Sequence, residues 1–126
     1  MPSTYQVVDL FAGPGGLAEG FSAFSDPDGH RPYKVALSVE KEASAHKTLQ
    51  LRAFLRQFNE SPVEYYAALN SGRPLPDWAE THAKQWKAAL DEALLLELGT
   101  DEAAEILDGR IASLVRSGSP TVVIGG

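Results

Sequence analysis

The 126 residues carry 11 Lys and Arg against 17 Asp and Glu, a net charge of −6 and a pI near 4.9, with 44% hydrophobic and 22% charged side chains. That is the balance of one globular domain or part of one, and so acidic a chain repels nucleic-acid phosphates unless its few cations cluster. Cysteine is absent, which excludes disulfides, thiolate metal sites and a thiol nucleophile.

In chain order, Tyr5 to Leu10 is a short apolar run with β-branched residues, stopped by Ala12-Gly13-Pro14-Gly15-Gly16. It reads as a buried strand running into a tight turn. A helix should follow, with Leu17, Phe21 and Phe24 on one face. The turn cluster Ser25-Asp26-Pro27-Asp28-Gly29 ends it. Tyr33 to Val39 alternates as a second strand, with Glu40 at its end. From Glu42 to about Phe58 the pattern is helical, and its Arg52 and Arg56, one turn apart, read either as a small basic patch or as a solvated surface.

Residues 60–118 read as a helical insertion. Pro62 opens a short helix bearing Tyr65, Tyr66 and Leu69, broken by Ser71-Gly72-Arg73-Pro74-Leu75-Pro76. Asp77 is a good N-cap, with Glu80 three residues on as in a capping box. Ala79, Ala83, Trp86, Leu90, Ala93 and Leu94 then predict one helix running to Gly99 as its C′ residue. Thr100 caps the next helix, with Asp101 and Glu102 in its first turn. After the loop Ser117-Gly118-Ser119-Pro120, Thr121-Val122-Val123-Ile124 is a third strand.

Strands alternating with helices predict an α/β fold with a parallel sheet: strand–helix–strand–helix over 1–59, the insertion over 60–118 and the last strand over 119–126. Three strands would leave an unpaired sheet edge, so self-association is expected. The longest apolar stretch, Ala88 to Leu98, is interrupted by Asp91, Glu92 and Glu97, so no membrane span is expected. Without a secretory signal layout or cysteine, a cytoplasmic setting is expected.

The glycine-rich turn is the strongest local signal. Glycine there permits positive φ and close approach of a ligand to the backbone, at the sheet edge where doubly wound folds bind nucleotide-like ligands. Glu40 at the end of the second strand is placed to accept hydrogen bonds from both hydroxyls of a ribose. The spacing departs from G-x-G-x-x-G, and no Gly-Lys-Ser or Gly-Lys-Thr follows. A ligand with a ribose and no pyrophosphate, such as S-adenosylmethionine, fits better than a dinucleotide.

The stretch Asp9-Leu10-Phe11-Ala12-Gly13-Pro14-Gly15-Gly16-Leu17-Ala18-Glu19-Gly20-Phe21 resembles the first signature motif of DNA (cytosine-5) methyltransferases. Ala36-Leu37-Ser38-Val39-Glu40 resembles the second. The resemblance implies a partial Rossmann-like S-adenosylmethionine-dependent methyltransferase fold. It implies that Phe11 contacts the cofactor, that the backbone from Gly13 through Gly15 and Gly16 to Leu17 holds its methionine portion together with Ala12, and that Asp9 lies beside the methionine end. Glu40 would bind the ribose hydroxyls. Lys41 stands where many members place a bulky apolar residue against the adenine. Asp108 is the candidate for the third motif's acid near the adenine amino group, with a surface acid as the competing reading.

Thr121 to Gly126 resembles the strand leading into the family's Pro-Pro-Cys-Gln segment, whose cysteine attacks C6 of a flipped cytosine. The expectation is a segment that binds S-adenosylmethionine, lacks the nucleophile, is inactive alone and meets double-stranded DNA through a downstream portion, in a restriction–modification setting. Two alternatives stay open: a methyltransferase of another substrate or a different nucleotide-binding Rossmann enzyme, and a non-catalytic module docking a partner through Tyr65, Tyr66, Trp78 and Trp86. His30, His46 and His82 show no metal-ligand spacing.

Overall fold

A computed structural model describes residues 3–125. Four strands, β1 (Tyr5–Leu10), β2 (Tyr33–Glu40), β3 (Ala93–Leu95) and β4 (Thr121–Gly125), form one sheet in the order β3-β2-β1-β4. Every pairing is parallel. Among the described residues six helices connect them: α1 (Gly16–Ala23), α2 (Ala43–Leu55), α3 (Val63–Ser71), α4 (Trp78–Thr81), α5 (Ala83–Glu92) and α6 (Asp101–Arg116).

The central strand explains the layering. Val7, Val8 and Asp9 are all buried, the two-sided burial expected of a parallel strand covered on both faces. Side chains alternate between faces, and the register puts Asp9 beside Ser38 and Ser38 beside Ala93 in one row. On that face Ala93 joins Leu49, Ala53 and Phe54 of α2, Trp78 of α4 and Ala89 of α5 in one apolar cluster. On the other, Val8, Leu37 and Val39 pack with Leu107 of α6, flanked by Ile111 and Leu114.

The strand order fixes where a ligand can sit. From β1 the chain steps outward to β2 and β3, then returns to lay β4 on the other side of β1. Such reversals open a crevice at the carboxyl ends of the strands. The arrangement is compatible with a Rossmann-like fold.

The expected single helix from Asp77 to Gly99 is corrected into three pieces. Asp77 does cap α4, accepting from the Ala79 N–H at 3.0 Å, but among the described residues the Glu80 carboxylate accepts nothing from the Asp77 N–H, so the capping box is not closed. His82 then leaves helical geometry (φ −140, ψ 55), where its ring packs on Phe58 and Trp78 with both centroids 5.5 Å away. After α5 the chain straightens, and Ala93, Leu94 and Leu95 pair with Ser38, Val39 and Glu40. The sheet therefore has four strands rather than three, with β3 and β4 at its edges. Gly99 does adopt positive φ (92), in the turn before α6 rather than at a helix end. Thr100 caps α6 as expected, its hydroxyl accepting from the Ala103 N–H at 3.2 Å. No helix among the described residues is long and apolar enough to cross a membrane.

Candidate functional site

The turn after β1 is built from left-handed backbone. Gly13 (φ 58) and Gly15 (φ 95) supply it without a Cβ penalty. Phe11 (φ 56) is the single non-glycine residue with positive φ among those described. An aromatic residue there is held against its preference, and Phe11 is 64% exposed. The Ala12 N–H donates to the Val39 carbonyl at 2.9 Å, which ties the turn to the end of β2. A Cβ built on Gly15 would stand 2.9 Å from Leu49 Cδ1, whereas one on Gly13 would meet nothing within 4 Å. Gly15 is therefore a packing glycine, and Gly13 faces open space.

Glu40 ends β2 beneath this turn. Its Oε1 accepts from the Gly13 N–H at 3.1 Å and its Oε2 from the Glu42 N–H at 2.8 Å. Each carboxylate oxygen has two lone pairs, so each retains one acceptor position. The neighbouring Glu42 serves a different purpose: its side chain caps α2 through the Ala45 N–H at 3.1 Å. Hydrogen bonds to Ser44 and Ala45 hold its carboxyl below the usual range.

Beside Glu40 opens a cleft of about 200 Å³ lined by Phe11, Val39, Glu40, Lys41, Leu96, Glu97 and Leu98. The Leu96 N–H donates to the Glu40 carbonyl at 3.0 Å, which seats the chain after β3 against the end of β2. Phe11 faces this cleft with Leu96 and Leu98, and Glu40, Lys41 and Glu97 add its charged groups. The volume is below the roughly 300 Å³ at which small-ligand pockets usually begin, so the cleft has room for only part of a small ligand.

The structure thus brings together Phe11, Ala12, Gly13, Glu40 and Lys41. Gly16 begins α1 beside them. Two expected residues lie elsewhere. Leu17 lines a separate depression with Gly20, Phe21, Phe24 and Tyr33. Asp108 is exposed on α6 and borders no part of the cleft; the acid that does is Glu97. Finding Glu97 requires knowing that β3 exists, and a three-residue strand inside a helical pattern gives no periodic signal.

Asp9 is 1% exposed and lies under the turn rather than on it. Both its carboxylate oxygens are buried without a hydrogen-bond partner, as is the Ser38 hydroxyl in the same row. Burial pushes the Asp9 pKa up to about 6, against the pull of the Arg56 positive charge.

No protein-family model matches the chain, and neither a curated protein nor a solved structure matches it. What the structure establishes is an α/β chain with a four-stranded parallel sheet and a cleft at the carboxyl ends of β1 and β2.

Proposed function

We propose that this chain binds S-adenosylmethionine as the cofactor-holding portion of a DNA (cytosine-5) methyltransferase. The observation that carries the reading is the Glu40 carboxylate, bonded to the Gly13 N–H while keeping an acceptor position on each oxygen at the mouth of the cleft. Those positions suit the two hydroxyls of a ribose. The Phe11 ring, exposed and held at positive φ, offers a face to the adenine. Glu97 offers an acceptor to the adenine amino group, the role expected of Asp108. Lys41 stands where an apolar residue would pack on the base, and its aliphatic stem takes that place. The open space over Gly13 leaves the backbone free to meet the methionine end.

The cofactor supplies an electrophilic methyl group when bound. This chain contributes its orientation, through Glu40 and the glycine turn. It contributes no nucleophile, having no cysteine, so methylation of cytosine in double-stranded DNA requires a thiol from another segment. Restriction–modification is the proposed setting.

Calorimetric titration with S-adenosylmethionine tests the reading, with NAD and a Glu40→Ala variant as controls. Saturable binding that Glu40→Ala weakens at least tenfold, with NAD silent, is the expected result. Equal binding of NAD, or cofactor binding indifferent to Glu40, rejects it.

A further inference from the structure

We propose that the chain carries a second, separate site that binds a phosphate group, in a cleft of about 370 Å³ lined by Arg31, Arg52, Arg56, Ser22, Asn59 and Ser61. It lies where the end of α1, the segment leading into β2 and the last turn of α2 meet. That is the amino-terminal end of the sheet, and no residue is shared with the cleft at Glu40.

The charge distribution is the first argument. The chain has six arginines and a net charge of −6, yet three of the six line this one cleft. Glu19 is the single carboxylate among its lining residues. Glu60 is not among them; it borders an adjoining depression with Val63 and Tyr66 that shares Asn59 and Ser61 with the cleft. Arg56 is balanced, because it bonds both Glu19 and Glu92. Arg31 and Arg52 have no such partner: the ion pairs among the described residues all belong to Arg56. Two uncompensated guanidinium groups therefore border one concave surface of an acidic molecule. Such a surface concentrates positive potential.

The donor set is the second argument. Guanidinium forks match phosphate oxygens bidentately. The Ser22 and Ser61 hydroxyls and the Asn59 amide add neutral donors. Leu55 and Phe58 close part of the wall, and apolar walls lower the local dielectric and strengthen each ionic contact. The Arg52 Nη1 lies near the start of α1, 3.9 Å from where a Cβ on Gly16 would stand. Ser22 and Arg31 come from segments distant in sequence from the stretch that carries Arg52, Arg56, Asn59 and Ser61, so only the fold assembles the set.

The phosphate could be free, as orthophosphate or a phosphate monoester, or a phosphodiester of a nucleic-acid backbone. The test titrates inorganic phosphate into the 126-residue chain at constant ionic strength against chloride, followed by chemical shifts or calorimetry, and then repeats it with a short DNA duplex. Saturable phosphate binding weakened about tenfold by Arg31→Gln is expected, the loss of one charge-assisted contact. Arg31 is exposed on the segment before β2, so this variant keeps the fold, which circular dichroism verifies. A duplex that displaces phosphate and weakens in the same variant identifies the backbone as the source; a duplex that does neither identifies a free phosphate. Phosphate acting no differently from chloride, or binding unchanged by Arg31→Gln, overturns the proposal. Because no step involves Glu40, failure of the cofactor titration leaves this result standing.

Discussion

The Glu92 carboxylate of α5 lies 2.5 Å from the Arg56 guanidinium just beyond α2, and the same guanidinium bonds Glu19 of α1. One side chain therefore joins three helices over the face of the sheet that holds Asp9. Neither partner is equivalent: the Glu92 side chain is 11% exposed and that of Glu19 is 39% exposed.

Removing the shared cation leaves a buried carboxylate without its counter-charge. Arg56→Ala should cost about 3–5 kcal/mol, the penalty for breaking a buried pair from one side. Glu19→Ala should cost about 1 kcal/mol or less, as for exposed pairs. Urea denaturation of both variants checks this, and similar losses in the two would contradict the asymmetry.

The pH dependence follows from the sign of the Asp9 shift. The folded pKa of about 6 exceeds the ordinary 3.8, so between those values the native state binds more protons than the unfolded chain. Stability is then lost as pH rises from about 4 through 6. Burial raises the Glu92 pKa too, which acts in the same direction. For Asp9 the shift corresponds to about 3 kcal/mol at most. Asp9→Asn should reduce the fall in unfolding free energy between pH 4 and 7, with Glu92 keeping its share. An unchanged profile would show that Asp9 titrates normally.

The two glycines of positive φ in the turn should respond differently to alanine. Gly13→Ala meets no atom and carries only the left-handed backbone cost, about 1 kcal/mol. Gly15→Ala adds a contact of 2.9 Å with Leu49 Cδ1 and should cost about 1–3 kcal/mol more, as for overpacked cores. Thermal unfolding of the pair distinguishes them; equal losses would mean that Leu49 moves aside freely.

Phe54 is fully buried and stacks on Trp78 at a centroid distance of 4.7 Å. Phe54→Ala should cost about 3–5 kcal/mol. The Trp78 indole N–H is buried with no acceptor, so Trp78→Phe keeps the stack and deletes an orphan donor. Its cost should stay within about 1 kcal/mol, the loss of volume being offset by the removed desolvation penalty. Chemical denaturation gives both values.

Much of this was legible from residue pattern alone. β1 and β2 were, because buried β-branched runs bounded by turn residues admit few readings. Asp77 and Thr100 were, because helix caps are local chemistry. The glycine turn and Glu40 were placed together correctly, since both sit at strand ends on a parallel sheet. β3 was not: Ala93 and Leu94 continue the helical stripe of α5, and only pairing with Ser38 and Val39 straightens them. The break at His82 depends on Phe54, Phe58 and Trp78 converging around its ring, which no local window contains. Missing β3 also hid Glu97 at the edge of the cleft. The Arg31 contribution to the second cleft was invisible for the same reason, being distant in sequence from Arg52.

The position of β4 has a consequence for how the molecule is made. Gln6 and Thr121 are partners in the sheet, so β1 waits for a strand far downstream in the sequence. Until then β1 can pair on one side with β2, while Val7 and Val8 have an open flank. Nascent chains of increasing length should therefore stay protease-sensitive until β4 emerges, and gain protection in a single step when it does.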